Sequence, residues 1–485
     1  MPHPIPALKQ LDDYRWEIPA GAVPGMHVPG RIYADAALIA QIREDQAVLQ
    51  VANVATLPGI VGYSIAMPDI HWGYGFPIGG VAAMDPEAGV ISPGGVGYDI
   101  NCGVRLLATT LTDEEIAPHL EALAESLFRN VPSGVGAAGR LRVSGSDLDD
   151  VLRTGAAWAV RKGLGRAQDL RRIEAGGTIP GADPERVSRR AKARGSDQLG
   201  TLGSGNHFLE IQRIDEIFDP AAAAAFGLRE IGQVTVLMHC GSRGLGHQVC
   251  DDYLAASGRV LSKYNITLPD RQLACVPLTS PEGRAYLGAM AGAANFAFAN
   301  RQVITHSVRE SFEEVLRRSA EQIRLEIVYD VAHNIAKIEE HSVNGLPVQV
   351  CVHRKGATRG FPAGHPEVPE EYRAVGHPVL LPGDMGRYSY VMVGTEVAMR
   401  ETFGSTPHGA GRVRSRGDAR RLLRGVDIVD TLARRGILVR AASRELLAEE
   451  ATEAYKDVAE VVRASDGAGL TRSVARLRPL AVVKG

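Results

Sequence analysis

The chain has 485 residues, of which 45% are hydrophobic and 23% are charged, and its formal net charge is -2. This composition is typical of a compact soluble protein and excludes a disordered or fibrous chain. The near-neutral charge also excludes a general electrostatic attraction to nucleic acid or to anionic membranes, so any RNA binding must depend on a local patch. Length alone would divide such a chain into about three domains.

The chain carries five cysteines, and an odd number suits a reducing compartment better than a disulfide framework. The N-terminal residues lack the basic segment followed by an apolar segment that marks a secretory signal. No uninterrupted apolar stretch approaches the roughly 20 residues of a membrane-spanning helix. We therefore predict a cytoplasmic protein with no membrane partner.

The first informative region along the chain is residues 67–103, where glycine and proline are too dense for long helices. This region is predicted to form loops and short strands. After it, Thr112 and Glu115 have the spacing of a capping box, and apolar residues recur at helical spacing from Ile116 to Leu127. The pattern predicts a helix with one buried face.

Further along, residues 161–194 are polar and rich in arginine, which favours a solvated helix face. Three short β-branched runs each end in a histidine and predict strands, over residues 234–239, 326–333 and 348–353. Two further segments predict helices: residues 284–319 as one long helix or two packed ones, and residues 445–463 as another.

Residue types that bind metals begin at Asp99 and Cys102, in the string YDINCG. A carboxylate and a thiolate three residues apart can reach one metal ion, or two ions bridged by the sulfur. Alone this pattern is weak, because a lone cysteine in an apolar strand is more often a small buried side chain. However, His207, His239 and His333 lie among glycine, serine and asparagine, and they add three imidazoles. The five residues together match the ligand types of a transition metal.

Glycine-rich loops are a second feature of the sequence, and they occupy residues 203–207, 241–246, 382–386 and 408–412. Such loops let backbone N–H groups approach phosphate oxygens closely. None of the loops matches the Walker A or the dinucleotide-binding pattern, and any one of them could be a plain tight turn. The loops therefore indicate phosphate binding only as a group.

His408 lies in the last of these loops, next to glycine and followed by Arg412, Arg414 and Arg416. An imidazole can attack phosphorus and hold it as a phosphoramidate, while guanidinium groups pair with phosphates. The alternative is an exposed loop histidine beside the start of a basic helix. The local sequence offers His408 as a nucleophile without deciding between these interpretations.

Seven motifs follow one another along the chain: DINCG, RGSDQLGTLGSGNHF, HCGSRGLGH, DVAHNIAKIE, HRKGATRGFPAG, LPGDMGRYSYV and HGAGR. Together they resemble the RtcB family of RNA-splicing and RNA-repair ligases, over residues 67–416 and as far as Lys484. The resemblance implies an enzyme that joins an RNA 3′-phosphate or 2′,3′-cyclic phosphate end to a 5′-hydroxyl end, in tRNA splicing or RNA repair. GTP is the implied cosubstrate, two Mn²⁺ ions are the implied cofactors, and an archease-type activator is an implied partner besides RNA.

The resemblance also implies the metal ligands. Asp99, Cys102 and His207 would hold one Mn²⁺, and Cys102, His239 and His333 would hold the second, with the Cys102 sulfur bridging. Ligand softness alone would favour zinc, so manganese depends on the resemblance. Two close metals suit this chemistry, because they stabilise charge on both the attacking and the leaving group.

For the nucleotide, the resemblance implies that His408 attacks the α-phosphate of GTP, releases pyrophosphate and holds GMP. The GMP would then pass to the RNA 3′-phosphate, and the 5′-hydroxyl would attack that activated end. Glu210 is expected to read the guanine edge, because a carboxylate accepts hydrogen bonds from N–H donors. The residues implied to contact the guanylate are Asn206, His207, Phe208, Leu209, Glu210, His333, Asn334, Pro382, Gly383, Asp384, Met385, Ser389, His408, Gly409, Ala410, Gly411 and Lys484.

Two positions depart from the family pattern. Asp384 stands where many relatives have serine or threonine, and Thr406 and Pro407 precede His408 where a cysteine is common. These departures leave room for a paralogue with a shifted substrate.

Because ligands drawn from residue 99 to residue 408, and further to Lys484, must meet at one place, the sequence predicts a single RtcB-like domain over residues 1–485. Its expected class is α+β, with a β-sheet core that carries a dinuclear metal site, helices outside, and a C-terminal helix and tail that close the nucleotide site. Two other functions are left open. One is a two-metal phosphoesterase or cyclic phosphodiesterase that forms no covalent nucleotide, and the other is an RNA-binding protein with a structural metal that ignores GTP.

Overall fold

The structure, a computed structural model, describes residues 4–485, so the first three residues of the predicted domain lie outside the described part. Within it, the strands in chain order are β1 Lys9–Gln10, β2 Arg15–Ile18, β3 Gly30–Tyr33, β4 Ile60–His71, β5 Ile78–Met84, β6 Val90–Ile91, β7 Gly103–Thr112, β8 Phe208–Ile217, β9 Gln233–Cys240, β10 Val276–Pro277, β11 Glu326–Ala332, β12 Asn334–Val343, β13 Leu346–Lys355, β14 Ala357–Arg359, β15 Pro378–Leu381, β16 Ser389–Gly394, β17 Ser405–Pro407, β18 Leu438–Ala441 and β19 Thr471–Lys484.

The α-helices, again in chain order, are α1 Ala36–Ile42, α2 Ala47–Val54, α3 Pro93–Val96, α4 Asp113–Ile116, α5 Leu120–Asn130, α6 Gly145–Thr154, α7 Ala156–Arg161, α8 Arg189–Gly195, α9 Pro220–Ala225, α10 Arg243–Val260, α11 Pro281–Leu316, α12 Glu396–Glu401, α13 Arg416–Leu422, α14 Ile428–Ala433, α15 Arg444–Glu449 and α16 Val458–Gly467. No helix in residues 4–485 combines the length and apolar character that crossing a bilayer requires.

Two large mixed sheets form the centre of the molecule. The first has seven strands in the order β1-β2-β3-β4-β5-β13-β12. The second has eight, in the order β11-β7-β9-β8-β19-β16-β15 with β18 beside β19. The pairs β3–β4 and β18–β19 are parallel, and the other pairs within these two sheets are antiparallel. The predicted α+β class is confirmed.

The register of the second sheet brings distant parts of the chain to one edge. Gly103, the first residue of β7, pairs with Cys240 at the end of β9 and with Ala332 at the end of β11. On the other side of β9, Phe208 at the start of β8 pairs with His239. Residues that immediately precede or follow these strand ends are therefore neighbours in space.

Over residues 284–319 the sequence predicts either one long helix or two packed helices, and the structure contains a single long helix, α11. Helix α11 begins after Ser280, whose side chain accepts a hydrogen bond from the backbone N–H of Gly283, and it ends before Arg317 in the left-handed conformation. Most of its 36 residues are buried, including the polar residues Asn300 and Arg301. A helix buried around its whole circumference belongs to the core of a large protein.

The capping box predicted at Thr112 and Glu115 is confirmed, since each side chain accepts a hydrogen bond from the backbone N–H of the other residue. The helix that it starts is shorter than predicted. Pro118 lies in a 3₁₀ turn that separates α4 from α5, because proline cannot continue the hydrogen-bonded ladder. The expected buried face is present: Ile116, Leu123 and Leu127 are buried and Leu120 is half-buried.

The prediction of one helix over residues 445–463 is wrong. Helix α15 ends at Glu449, Ala451 is extended, and α16 begins only after Asp457, whose side chain caps it. The break turns the carboxylate of Glu450 toward Arg412, at 3.1 Å, and the hydroxyl of Thr452 toward Asp384, at 2.6 Å. These tertiary contacts outweigh the helix propensity of the segment.

The predicted strands over residues 234–239, 326–333 and 348–353 are confirmed as β9, β11 and β13. The arginine-rich segment contains only short helices and 3₁₀ turns, and Arg189, Arg190 and Arg194 on α8 are exposed, as expected for a solvated face.

Candidate active site

A cavity of about 540 Å³ is lined by residues from both large sheets and from the loops that follow them. Its size lies within the range of small-molecule and cofactor sites. Most of the predicted site residues line it: Asp99, Cys102, Asn206, His207, Phe208, His239, His333, Asn334, Pro382, Gly383, Asp384, Met385, His408, Gly409, Ala410, Gly411 and Lys484. Motifs far apart in the sequence thus meet in one place.

Three of the predicted guanylate contacts do not line this cavity. Leu209 is 1% exposed and packs in a hydrophobic cluster on the other face of β8. Glu210 and Ser389 lie behind the cavity wall, where Gln212 donates a hydrogen bond to each of them. Ser389 also accepts from the backbone N–H of Gly383 at 3.3 Å, so it supports the loop that does line the cavity.

Asp99, Cys102 and His207 form a first group of candidate metal donors. One donor atom from each lies within 4.8 Å of the others. The Nε2 of His207 is 2.8 Å from the Oδ2 of Asp99 and 3.4 Å from the Sγ of Cys102. Carboxylate, thiolate and imidazole are donors that one transition metal can share.

Cys102, His239 and His333 form a second group under the same distance limit, so both groups share the Cys102 sulfur. The Nε2 of His239 lies 3.2 Å from the Sγ of Cys102 and 3.2 Å from the Nε2 of His333. Burial holds the pKa values of His239 and His333 well below the ordinary histidine value, and nearby histidines lower them further, so both rings carry lone pairs. Lone pairs that converge at these distances fit a bound cation, because a single shared proton could bridge only two of the donor atoms.

The electrostatics of the first group suit a cation equally well. Burial, and after it the charge of Asp99, raise the pKa of the Cys102 thiol to about 12, so without a cation the thiol keeps its proton. Burial opposes ionisation of Asp99, but the hydrogen bond and charge of His207 outweigh it and lower the pKa of that carboxyl. Metal binding displaces the protons of such ligands.

Arg301 of α11 lies directly behind the metal donors and was not predicted from the sequence. Its guanidinium donates to the backbone carbonyls of Asn101 and Cys240, both at 2.8 Å, and so ties together the residues next to Cys102 and His239. Asp330 balances its charge, with an Arg301 Nη2 to Oδ1 distance of 2.8 Å. The sequence feature that could have indicated Arg301 is a set of polar residues within an otherwise apolar predicted helix.

His408 reaches the cavity on a loop that follows β17. That strand pairs with β14, which places Pro407 opposite Ala357. The ring centroid of His408 lies 4.9 Å from that of His333, so the predicted nucleophile borders the second group of donors. The two features predicted separately from the sequence thus lie side by side.

Asp69, at the end of β4, holds His408 in place. Its Oδ2 is 2.6 Å from the Nδ1 of His408, and it also accepts from the backbone N–H groups of His408 and Gly409. The ammonium of Lys456 lies beside it, donating to the carbonyls of Pro68 and Ile70. Sequence reasoning missed Asp69, and its only signal was a carboxylate in a glycine-rich stretch.

Lys484 and Asp384 also line the cavity. The Nζ of Lys484 lies 5.6 Å from the ring centroid of Phe208 and 4.0 Å from the Oε2 of Glu450. Asp384 is almost fully buried, and burial raises its pKa although Thr452 donates a hydrogen bond to it. Asp384, one of the two departures from the family pattern, is therefore hydrogen-bonded within the structure. Thr406 and Pro407, the other departure, are buried in β17.

Comparison with known proteins gives a consistent result. The family model described as tRNA-splicing ligase RtcB matches residues 50–485. The tRNA-splicing ligase RtcB of Thermococcus kodakarensis is 59% identical over 478 residues, which cover 99% of each chain. The proteins of the same name from Archaeoglobus fulgidus and Methanococcus maripaludis are 57% and 53% identical, and the matches cover 98–99% of this chain and 99% of each relative.

Proposed function

The chain belongs to the RtcB family of ligases, and we propose that it joins an RNA 3′-phosphate or 2′,3′-cyclic phosphate end to a 5′-hydroxyl end, consuming GTP and requiring two Mn²⁺ ions. The observation that carries the proposal is the position of His408. Its ring lies 4.9 Å from that of His333, so a nucleophile for GTP and a cluster of metal donors share one cavity. A phosphoesterase or an RNA-binding protein would need no such histidine.

Asp99, Cys102 and His207 would hold one metal ion, and Cys102, His239 and His333 the other, as the two donor groups suggest. When bound, these ions would polarise the phosphates and stabilise negative charge as it develops during transfer. Manganese is part of the proposal, since the donor types alone would favour zinc.

The task of Asp69 is to prepare His408 for attack. Because the carboxylate accepts the Nδ1–H of His408, the imidazole keeps its lone pair on Nε2. The backbone hydrogen bonds from His408 and Gly409 to the same oxygen fix the loop. Asp69 is thus a positioning residue, and His408 is the catalytic residue.

The proposed reaction has three transfers. The Nε2 of His408 bonds to the α-phosphorus of GTP, and the bond from that phosphorus to the bridging oxygen breaks as pyrophosphate leaves. An oxygen of the RNA 3′-phosphate then attacks the GMP phosphorus and breaks the bond to His408. Finally the 5′-hydroxyl oxygen attacks the RNA 3′ phosphorus, GMP leaves, and the hydroxyl proton is released to water. A cyclic phosphate end would first be opened by water to the 3′-phosphate.

The guanylate would occupy the side of the cavity that carries Lys484, with the loops at residues 382–385 and 408–411 around its phosphate and sugar. Asn206 and Asn334 lie on the same cavity wall as the metal donors. We propose that Glu210 and Ser389 come into contact with guanine only when the wall in front of them moves. Asn206, Phe208 and the backbone of residues 409–411 complete the proposed contacts.

We further propose that the whole chain acts as one domain, since the cavity draws residues from both large sheets and from the end of β19. A reducing compartment such as the cytoplasm suits its five free, buried cysteines. An archease-type activator remains part of the proposal, on the family resemblance alone.

The direct test uses purified protein, Mn²⁺ and GTP labelled at the α-phosphate, followed by denaturing electrophoresis. We expect the wild type to retain label, and His408→Ala and Cys102→Ala to lose it. His119→Ala, which changes an exposed histidine in the 3₁₀ turn before α5, is the matched control and should retain label. Absence of label from folded, metal-loaded wild type would overturn the ligase mechanism and favour the phosphoesterase.

A further inference from the structure

Trp72 stands out as an aromatic side chain left in solvent beside the cavity. It is 61% exposed, the highest value for any aromatic residue in the described part of the chain. The other two tryptophans, Trp16 and Trp158, are buried at 4% and 2%. A single exposed apolar residue is ordinary on a protein surface, so exposure alone says nothing about function. What sets Trp72 apart is the loop that carries it.

The loop between β4 and β5 is held rigidly by buried polar side chains. Gln50 receives a hydrogen bond from the N–H of Gly73 and donates one to its carbonyl, at 3.0 and 2.6 Å. The ammonium of Lys355 donates to the carbonyls of Tyr74 and Phe76, at 2.6 and 3.1 Å. Each of these contacts fixes the backbone and leaves the indole of Trp72 free.

Two glycines show how little freedom this backbone has. Gly75 has a φ of +68°, and a Cβ added there would lie 2.4 Å from the carbonyl oxygen of Gln272. At Gly73 an added Cβ would lie 2.6 Å from the carbonyl oxygen of Phe76. The loop backbone is therefore restricted to one conformation, in which Trp72 is exposed to solvent. A surface that is already ordered loses little conformational entropy when it binds a ligand.

The neighbours of Trp72 connect it to the cavity. His71 and Tyr74, on either side of it in the chain, both line the cavity that contains His408. The ring of Tyr74 meets that of Tyr98 edge to face at a centroid distance of 5.5 Å, and Tyr98 in turn precedes the metal donor Asp99. Tyr74 and Tyr98 thus form an aromatic pair between the candidate donor Asp99 and the loop that carries Trp72.

Positive charge also borders this cavity. Arg194, exposed on α8, and the buried Arg243 both line it, and their side chains donate to Gln248 and Thr201. Among the side chains that the structure describes, neither arginine forms an ion pair with a carboxylate. Unneutralised guanidinium groups next to exposed aromatic rings are the combination by which proteins bind single-stranded nucleic acid, the former contacting phosphates and the latter stacking on bases.

We propose that Trp72 is a stacking surface for an unpaired nucleobase of the RNA strand, beside the end that is joined. The inference rests on the proposed function, because it takes the cavity as the place where RNA ends meet. It predicts a substrate preference: ends whose terminal nucleotides are single-stranded should be favoured over ends buried in a duplex. Base stacking does not read sequence, so the preference should depend little on which base is present.

Tryptophan fluorescence gives a direct test, since Trp72 is the one tryptophan of three that solvent reaches. The probe is a single-stranded RNA of about ten nucleotides with a 5′-hydroxyl, a length within the usual site size of such proteins. We expect it to quench the emission of the Mn²⁺-loaded wild type but not that of Trp72→Phe. The same RNA with abasic positions near its end should bind without quenching.

Binding is measured in parallel by the anisotropy of labelled RNA. Removing one stacking contact should raise the dissociation constant of Trp72→Ala about tenfold or more, while Trp72→Phe keeps most of the affinity. Phe218→Ala is the matched control, because Phe218 is also exposed, at 42%, but stacks on Tyr390 and does not line the cavity. It should bind RNA as the wild type does. Retention of GMP label shows that each variant is folded.

The outcomes separate the two proposals. RNA that binds by anisotropy without quenching Trp72, or with equal affinity for Trp72→Ala, overturns the stacking role and leaves the ligase function intact. No RNA binding to any variant, together with no GMP label, counts against the proposed function itself. Quenching by a folded protein partner but not by RNA would show that Trp72 serves a protein interface and would likewise overturn the inference.

Discussion

The Oδ2 of Asp69 lies 2.6 Å from the Nδ1 of His408 and accepts two backbone N–H groups of the same loop. Residues more than three hundred positions apart in the chain are thus joined by one carboxylate oxygen. This contact fixes both the orientation of the imidazole and the nitrogen that carries its proton. A rate that depends on His408 should therefore depend on Asp69.

Asp69→Asn should lower the rate of GMP transfer to His408 by roughly 10²- to 10⁴-fold, because an amide can offer its NH₂ to Nδ1 and move the proton to Nε2. A rapid-quench assay with labelled GTP measures this rate, and its pH profile should change as well. Asp13→Asn, on the exposed N-terminal surface, is the control. An Asp69→Asn variant as fast as the wild type would contradict the positioning role.

Because the Cys102 sulfur belongs to both donor groups, substitution of Cys102 should remove more metal ions than substitution of a histidine ligand. Wild type should bind about two Mn²⁺ per chain, His207→Ala and His333→Ala about one each, and Cys102→Ala close to none, since only Cys102 belongs to both donor groups. Elemental analysis after gel filtration measures the ratios. Cys275→Ala, a buried core cysteine, is the control and should keep both ions. If Cys102→Ala still bound two ions, the bridging role would be wrong.

Glu210 should make stability fall with rising pH. Burial raises its pKa to about 8 from an ordinary value of 4.5. Between these values the unfolded chain has lost the proton that the folded chain keeps, so unfolding becomes easier as pH rises, and above about 8 the effect levels off.

Over that pH window the wild type should lose on the order of 3–5 kcal/mol of unfolding free energy through this group. Glu210→Gln should lack this slope, whereas Glu370→Gln, on an exposed 3₁₀ turn, should retain it. Urea denaturation of the metal-free proteins at several pH values measures the difference. Parallel curves for wild type and Glu210→Gln would show that Glu210 ionises normally.

The buried cluster of Arg105, Arg301 and Asp330 should be essential for stability. All three side chains have no exposed surface, and Asp330 lies within 2.8 Å of both arginines. Asp330→Asn should cost about 3–5 kcal/mol, because it leaves buried positive charge without its partner. Asp150→Asn, which breaks an exposed pair with Arg161, should cost no more than about 1 kcal/mol. Equal losses in the two variants, by urea denaturation, would contradict this prediction.

The sequence predicted best what depends on short-range pattern. Three features follow from local residue order and are present in the structure: His239 and His333 at strand ends, the capping box at Thr112, and the long helix α11. Asp69 was missed because its role appears only when β4 lies against the His408 loop. The helix predicted over residues 445–463 failed for the same reason, since its break is stabilised by contacts with Arg412 and Asp384.

The pairing of the second sheet also bears on how the site comes into being. Strand β19 pairs with β8 and β16, and β7 lies between β9 and β11, so each pairing joins residues far apart in the chain. Such pairings form slowly, because the loops between them must be closed first. The thiol and imidazoles of the two candidate donor groups should therefore meet only late in folding. Until the strands of this sheet have paired, the donors of neither group are assembled. A newly synthesised chain therefore has little chance of binding a different metal there.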